Sequence, residues 1–95
     1  QQNMQIHLVV AVLVVIAGIV YRLTLLEWAI ISLTIGAVLA AEAFNTAIEL
    51  VVDLVTDKPH PLAGHAKNVA AAAVLMTTIA AVAVGICIFG PYLLG

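Results

Sequence analysis

The stretch that decides the architecture of this chain is EAFNTAIELVVDLVTDKPHPLAGHAKN, residues 42–68. Its first half has the apolar spacing of a helix that also carries acidic residues. Its second half contains Pro59 and Pro61, which cannot continue the hydrogen-bond ladder of a helix. The chain is therefore predicted to break after Thr56 into two long helical segments.

The apolar runs around this break are long enough to cross a membrane. A spanning helix needs about 20 residues, and three helices are predicted, at approximately 4–21, 27–56 and 62–90. Gly90 and Pro91 are expected to close the third helix. At 1.5 Å per residue the second is about 45 Å long, so one end projects beyond the ~30 Å hydrocarbon core.

The composition agrees with a membrane protein. Of the 95 residues, 65% are hydrophobic and 8% are charged, and the mean hydropathy is +1.26. A soluble domain carries about 25% charged residues, so the excess apolar surface must face lipid or other subunits. We expect a single domain, residues 1–95, in an all-α membrane protein with three transmembrane helices per subunit. The net charge of −2 gives no indication of nucleic-acid binding.

The few cations indicate an orientation. Lys58 and Lys67 lie around the loop between the second and third helices, whereas the opposite loop carries Arg22. Because positive charge accumulates on the cytoplasmic side, the loop at 57–67 and the N-terminus are predicted to be cytoplasmic.

Small residues recur every four positions on two helices: Ser32, Gly36 and Ala40 on the second, and Ala73, Thr77, Ala81 and Gly85 on the third. Such rows let helix backbones approach closely in lipid, although an alanine-rich composition alone also produces them. Three thin helices bury little surface by themselves, so a homo-oligomer is expected.

The polar residues of the second helix fall on one face. Asn45, Glu49 and Asp53 follow Glu42 at spacings of three, seven and eleven. At about 100° per residue, the four occupy an arc of roughly 80°. A charged residue at the bilayer centre costs about 3 kcal/mol or more, so intramembrane acids are usually functional.

Several functions fit such a stripe. Carboxylates bind Mg²⁺ together with substrate phosphates, and a further carboxylate can take a proton from an attacking hydroxyl, which suits phosphoryl transfer. Intramembrane acids also form proton or cation paths, and acids that only fix helix pairing are a third interpretation. Spacing alone does not choose among them.

The same stretch resembles the signature of the prokaryotic diacylglycerol kinase family, which includes undecaprenol kinases. The family pattern is E-x-x-N-[ST]-A-[IV]-E-x-x-V-D, followed by a short loop and A-K-D. This chain matches it from Glu42 to Asp53 and again at Ala66 and Lys67. The opening Asn3-Met4-Gln5-Ile6-His7 and the pair Glu27-Trp28 are similar to the undecaprenol kinase branch.

The resemblance implies a homotrimeric lipid kinase that uses ATP and Mg²⁺. It would reside in the bacterial inner membrane and act at the cytoplasmic interface. Undecaprenol is the first-choice substrate and diacylglycerol the second. The alternative is a catalytically weakened member, or a non-catalytic protein that serves as an ion path or scaffold.

The resemblance also assigns residues by their position in the motif. Glu42 would be the catalytic base near the lipid hydroxyl, and Trp28 would also contact the lipid. Glu49 would bind the metal, with Asn45 and Asp53 in support. A wider set would meet the nucleotide: Glu49, Lys58, His60, Lys67 and Asn68.

Three departures from the family pattern predict weakened activity. Asn68 stands where the family has an aspartate, and Gln1 stands where a glutamate contributes to the metal site. An amide lacks the negative charge of a carboxylate and is a poor ligand for Mg²⁺. The family also carries an amphipathic surface helix ahead of this position, which this chain is expected to lack.

Overall fold

A computed structural model describes residues 2–95 as three antiparallel α-helices: α1 (Gln2–Tyr21), α2 (Leu25–Val55) and α3 (Pro61–Leu94). They form a rod with principal extents of 54, 18 and 18 Å. Each helix is long and apolar enough to cross a membrane, and the described part of the chain contains no strand. The prediction of an all-α protein with three transmembrane helices is confirmed.

The turn between α1 and α2 depends on one residue in the left-handed region. Arg22 has φ 56°, its amide donates to the Ile19 carbonyl at 3.3 Å, and the next amide, of Leu23, donates to the Gly18 carbonyl at 3.1 Å. These two bonds form a Schellman motif, which satisfies the last carbonyls of a helix and reverses the chain.

A capping box starts α2 and connects it to α3. The Thr24 hydroxyl accepts from the Glu27 amide at 3.2 Å, and a Glu27 carboxylate oxygen accepts from the Thr24 amide at 2.9 Å. The same oxygen accepts from the Tyr92 hydroxyl at 2.6 Å. Glu27 therefore joins the start of α2 to the end of α3.

The prediction that α3 closes near residue 90 is wrong, because the helix continues through Pro91 to Leu94. A proline removes one helical hydrogen bond, which costs least near the end of a helix. Beyond the proline, Tyr92 bonds to Glu27 and packs on the ring of Tyr21, with 5.8 Å between ring centroids. These tertiary contacts hold the last turn in helical form.

The predicted break between the second and third helices is confirmed. α2 ends where the Thr56 amide donates to the Val52 carbonyl at 3.0 Å. α3 begins with Pro61, a residue favoured at the first position of a helix. The His60 Nδ1 atom caps it by accepting from the Leu62 amide at 3.1 Å.

Little of the chain is buried within the bundle. Leu23, Ile31 and Ile88 form the central cluster, and Trp28 and Phe89 are among the partly buried residues around it. Most other large apolar side chains are exposed along all three helices. This exposed apolar surface needs lipid or other protein surfaces to cover it.

The small-residue row of α2 does not pack against the other helices of the chain. On α2 the whole row is exposed: Ser32, Gly36 and Ala40. A Cβ atom added at Gly36 or at Gly85 would meet no neighbour within 4 Å. The close approach occurs instead at Gly18 of α1, against the ring of Trp28.

Gly18→Ala tests that contact. Its Cβ atom would lie 2.5 Å from Trp28 Cη2, so the indole must move, and we expect a loss of about 1–3 kcal/mol in the free energy of unfolding. Thermal unfolding in detergent and the emission maximum of the single tryptophan measure both effects. Gly64→Ala is the control, because its Cβ meets nothing within 4 Å. An unshifted emission with unchanged stability in Gly18→Ala would contradict the packing.

Candidate active site

The polar face of α2 runs from a buried acid to an exposed one. Glu42 is 2% exposed, Asn45 and Glu49 are half-buried, and the side chain of Asp53 is 62% exposed. α2 is continuous through all four positions, so they lie on one face as predicted. The stripe leads from the interior of the bundle to the loop before α3.

Glu42 faces a histidine from α1. The Nε2 atom of His7 lies 3.6 Å from a carboxylate oxygen of Glu42, and the two side chains are 19% and 3% exposed. His7 was not among the site residues predicted from the sequence. The only sequence signal for His7 was its position as a polar residue at the start of an apolar run. Its contact with Glu42 depends on the register between α1 and α2, which the sequence does not show.

Two polar atoms of the stripe are buried without a hydrogen bond. Glu42 Oε2 and Asn45 Oδ1 accept no hydrogen bond from the residues that the structure describes. Such an atom costs about 1–3 kcal/mol when it stays unsatisfied. The two residues lie three positions apart, the spacing of neighbouring side chains on one helix face.

Lys67 is bonded to the exposed end of the stripe. Its Nζ atom donates to Asp53 Oδ1 at 2.7 Å, and the side chains are 40% and 62% exposed. An ion pair this exposed contributes about 0–1 kcal/mol. Its main effect is positional, because it places a cation from α3 beside the acidic face of α2.

A polar cleft lies where α2 meets the loop and α3. Its volume is about 540 Å³, and four of the predicted site residues line it: Asp53, Lys58, His60 and Lys67. Glu49 and Asn68 are not among its lining residues. The structure thus brings together two lysines and a histidine from the predicted nucleotide set.

An apolar groove of about 290 Å³ runs between the three helices on the other side of Glu42. His7 lines it near the acidic residue, and Phe89 lies at the opposite end of the bundle. The walls between them come from all three helices, among them Val14, Ile35, Val38, Val82 and Gly85. Its shape and lining suit a hydrocarbon chain.

Trp28 is not part of the site around Glu42. Fourteen residues separate the two along α2, about 21 Å at 1.5 Å per residue. Trp28 packs against Gly18 and the central apolar cluster. A lipid contact of Trp28 would therefore involve the hydrocarbon chain and not the hydroxyl.

The described residues provide no metal cage of their own. Within residues 2–95, no three His, Cys, Asp or Glu side chains converge on one point. Gln1, predicted to stand at the metal site, lies outside the described residues. Glu49 is half-buried on the stripe, and one carboxylate fits an ion whose other ligands are phosphates and water, the usual coordination of Mg²⁺ with a nucleotide.

Comparisons with known proteins identify the family. The profile of the prokaryotic diacylglycerol kinase family matches residues 1–89. The chain is 45% identical over 93 residues to an undecaprenol kinase of Bacillus subtilis, covering 98% of this chain and 76% of that protein. It is 43% identical over 95 residues to a diacylglycerol kinase of Synechocystis sp., covering 99% of this chain and 54% of that protein. No solved structure matches at a significant level.

The chain therefore belongs to the prokaryotic diacylglycerol kinase family. Its class is that of the lipid kinases, as the motif from Glu42 to Asp53 predicted.

Replacing the buried carboxylate tests whether Glu42 is there for function or for folding. Glu42→Met keeps the side-chain length and removes a buried oxygen that accepts no hydrogen bond, so we expect the free energy of unfolding to rise by about 1–3 kcal/mol. Ile31→Ala, in the central cluster, should instead lose about 2–5 kcal/mol. Thermal unfolding in one detergent compares the two. A loss in Glu42→Met as large as that in Ile31→Ala would make Glu42 a structural residue.

Proposed function

We propose that this protein transfers the γ-phosphate of ATP to the hydroxyl of a membrane lipid alcohol, with Glu42 as the general base. One observation carries the proposal: a carboxylate that is 2% exposed, with an oxygen that accepts no hydrogen bond, lies beside His7, a residue that lines an apolar groove. That arrangement offers an acceptor for a hydroxyl proton and a channel for the attached hydrocarbon.

The groove and the relatives indicate the substrate class. A lipid alcohol is the chemical class that has both a hydroxyl and a long apolar chain. Undecaprenol is our first choice, because the Bacillus subtilis relative of that name is 45% identical over 98% of this chain. Diacylglycerol is the second, after the name of the Synechocystis sp. relative.

The polar cleft is the proposed nucleotide site. Lys58, His60 and Lys67 line it, and their side chains can donate to phosphate oxygens. Asn68, one residue further along α3, is proposed to contact the nucleotide as well. Lys67 would exchange its bond to Asp53 for phosphate, or share its donors between the two. Such an exchange costs little, since the ion pair is exposed.

Glu49 is proposed to hold the Mg²⁺ that accompanies ATP, between the cleft and Glu42. When bound, the ion neutralises charge on the transferring phosphoryl group. Asn45 and Asp53 support the site: the first offers an unpartnered amide oxygen, and the second holds Lys67 in place. Gln1 is proposed to stand near the metal as a weak ligand.

The reaction then needs one proton acceptor and good positioning. The lipid hydroxyl gives its proton to the Glu42 carboxylate. At the same time, the hydroxyl oxygen bonds to the γ-phosphorus of ATP. The bond from that phosphorus to the bridging oxygen of ATP breaks, and ADP leaves with the electron pair. Phosphoryl transfer asks little more of a protein than alignment and charge neutralisation.

We further propose a homotrimer in the bacterial inner membrane, with this site on the cytoplasmic side. Lys58 and Lys67 both lie at the end of the bundle that carries the cleft, in keeping with the positive-inside rule. The exposed small-residue row on α2 is available for packing between subunits: Ser32, Gly36 and Ala40.

A phosphate-transfer assay tests the function. In detergent–lipid micelles with ATP and Mg²⁺, the wild-type protein should phosphorylate undecaprenol, diacylglycerol or both. Glu42→Gln should lower turnover about 10²- to 10⁴-fold through loss of the base. Glu49→Gln should lower it by about 100-fold or more, and should weaken activation by Mg²⁺.

Two further variants make that assay decisive. Glu27→Gln removes an acid from the opposite end of the same helix and should keep its turnover. Gln1→Glu combined with Asn68→Asp should raise turnover, since it restores two charges near the nucleotide. If this restored pair is active while the wild type is silent, the chain is a weakened kinase. Silence from both would overturn the proposed function.

Filling the groove tests where the lipid chain lies. A side chain at Gly85 has open space around it and would occupy the groove, so Gly85→Leu should raise the KM for the long-chain lipid about 10-fold, with KM for ATP unchanged. This corresponds to about 1.4 kcal/mol of lost binding. Ala83→Leu is the matched control, because Ala83 is exposed and does not line the groove. Equal KM values for the two variants would place the chain elsewhere.

A further inference from the structure

We infer that His7 carries away the proton that Glu42 takes from the lipid hydroxyl, acting as a positioning and relay residue for the base. The inference rests on the function proposed above. It starts from the burial of Glu42, whose side chain is 3% exposed. Each turnover leaves one proton on this carboxylate, and the next turnover requires its removal.

The surroundings of Glu42 provide one route. His7 is the basic side chain that lies within 4.0 Å of Glu42 among the described residues, and its own side chain is 19% exposed. It sits in the second turn of α1, near the end of the bundle where the polar stripe and cleft also lie. His7 is the more exposed of the two side chains, so a proton that reaches it has moved from the interior of the bundle toward its surface.

The other helix packed against Glu42 offers no titratable group at that level. The bonds from Lys67 to Asp53 and from Tyr92 to Glu27 set the antiparallel register of α2 and α3. This register brings Thr78 level with Glu42, and the hydroxyls of Thr77 and Thr78 both donate to the Val74 carbonyl.

Along α2 itself there is no alternative carrier nearby. Asn45 has a neutral amide side chain, which is neither an acid nor a base that could carry the proton. Glu49 lies seven residues from Glu42, about 10 Å along the helix.

The step balances with the groups present. The protonated Glu42 gives its proton to the Nε2 atom of a neutral His7, which becomes an imidazolium. The imidazolium loses the proton on Nδ1 to water, and exchange between the two neutral tautomers through water then frees Nε2 again. The carboxylate and the histidine are both ready for the next hydroxyl. The separation of 3.6 Å between Nε2 and the carboxylate is slightly longer than a direct hydrogen bond, and a small rotation or one bridging water closes it.

His7→Gln separates relay from simple support. Glutamine can hydrogen-bond to Glu42 and hold its rotamer, but it cannot carry a proton. We expect kcat to fall about 10- to 100-fold, with KM for ATP and for the lipid unchanged. Imidazole added to the buffer should restore part of the rate in proportion to its concentration, because it can replace the missing carrier.

His65→Gln is the matched control, since His65 is exposed on α3, and it should keep its turnover. Glu42→Gln should not respond to imidazole. A wild-type kcat in His7→Gln, or a loss that imidazole does not restore, would overturn the relay and leave the kinase function standing.

A spectroscopic measurement tests the contact without turnover. In protein labelled with ¹⁵N-histidine, Glu42→Gln should shift the imidazole resonances of His7 and leave those of His65 in place. Unshifted His7 resonances would overturn the inference. If neither the wild type nor the restored pair phosphorylates a lipid, the proposed function is overturned, and the relay with it.

Discussion

The carboxylate of Glu42, held inside an apolar bundle, is the constraint on which the rest of the polar architecture depends. A charge in such surroundings persists only where partners or a ligand offset the loss of water. α1 supplies His7 at 3.6 Å, and α2 continues past the acid until its polar face reaches water. α3 then supplies Lys67 for Asp53 at that outer end. The polar side chains thus become more exposed from Glu42 to Asp53. The other surfaces of the protein are mostly apolar and exposed.

Much of the fold could be predicted because lipid permits few alternatives. Apolar runs of this length must be helical in a bilayer, since backbone groups find no other partners there, and Pro59 and Pro61 mark the break through local chemistry. The end of α3 could not be predicted in this way. The bond between Tyr92 and Glu27 joins residues 65 positions apart, and no local pattern shows that it outweighs the hydrogen bond lost at Pro91.

The candidate site, like the fold, could be predicted from the sequence only in part. Periodicity placed Glu42, Asn45, Glu49 and Asp53 on one face, because a continuous helix is all that this requires. Their partners come from other helices, so they depend on register. For that reason His7 was missed, and the resemblance linked Glu42 with Trp28, about 21 Å away along α2. The family motif describes which residues belong together in sequence. It does not show which of them share a cavity.

Glu27 of the capping box, which is bonded to Tyr92, also gives a reference level from which positions along the membrane normal can be counted. Tyrosine is enriched at membrane interfaces, and a charged glutamate is costly at the bilayer centre, so both residues fit a membrane boundary. Counted along α2 from there, Glu42 is 15 residues away and Glu49 is 22, or about 22 and 33 Å. If Glu27 and Tyr92 mark one boundary, a hydrocarbon layer of about 30 Å ends between Glu42 and Glu49, with the proposed base just inside the second boundary and the proposed metal ligand among the headgroups. On the proposed function, bilayer thickness then affects catalysis, because a much thinner or thicker bilayer would put both carboxylates on the same side of its boundary.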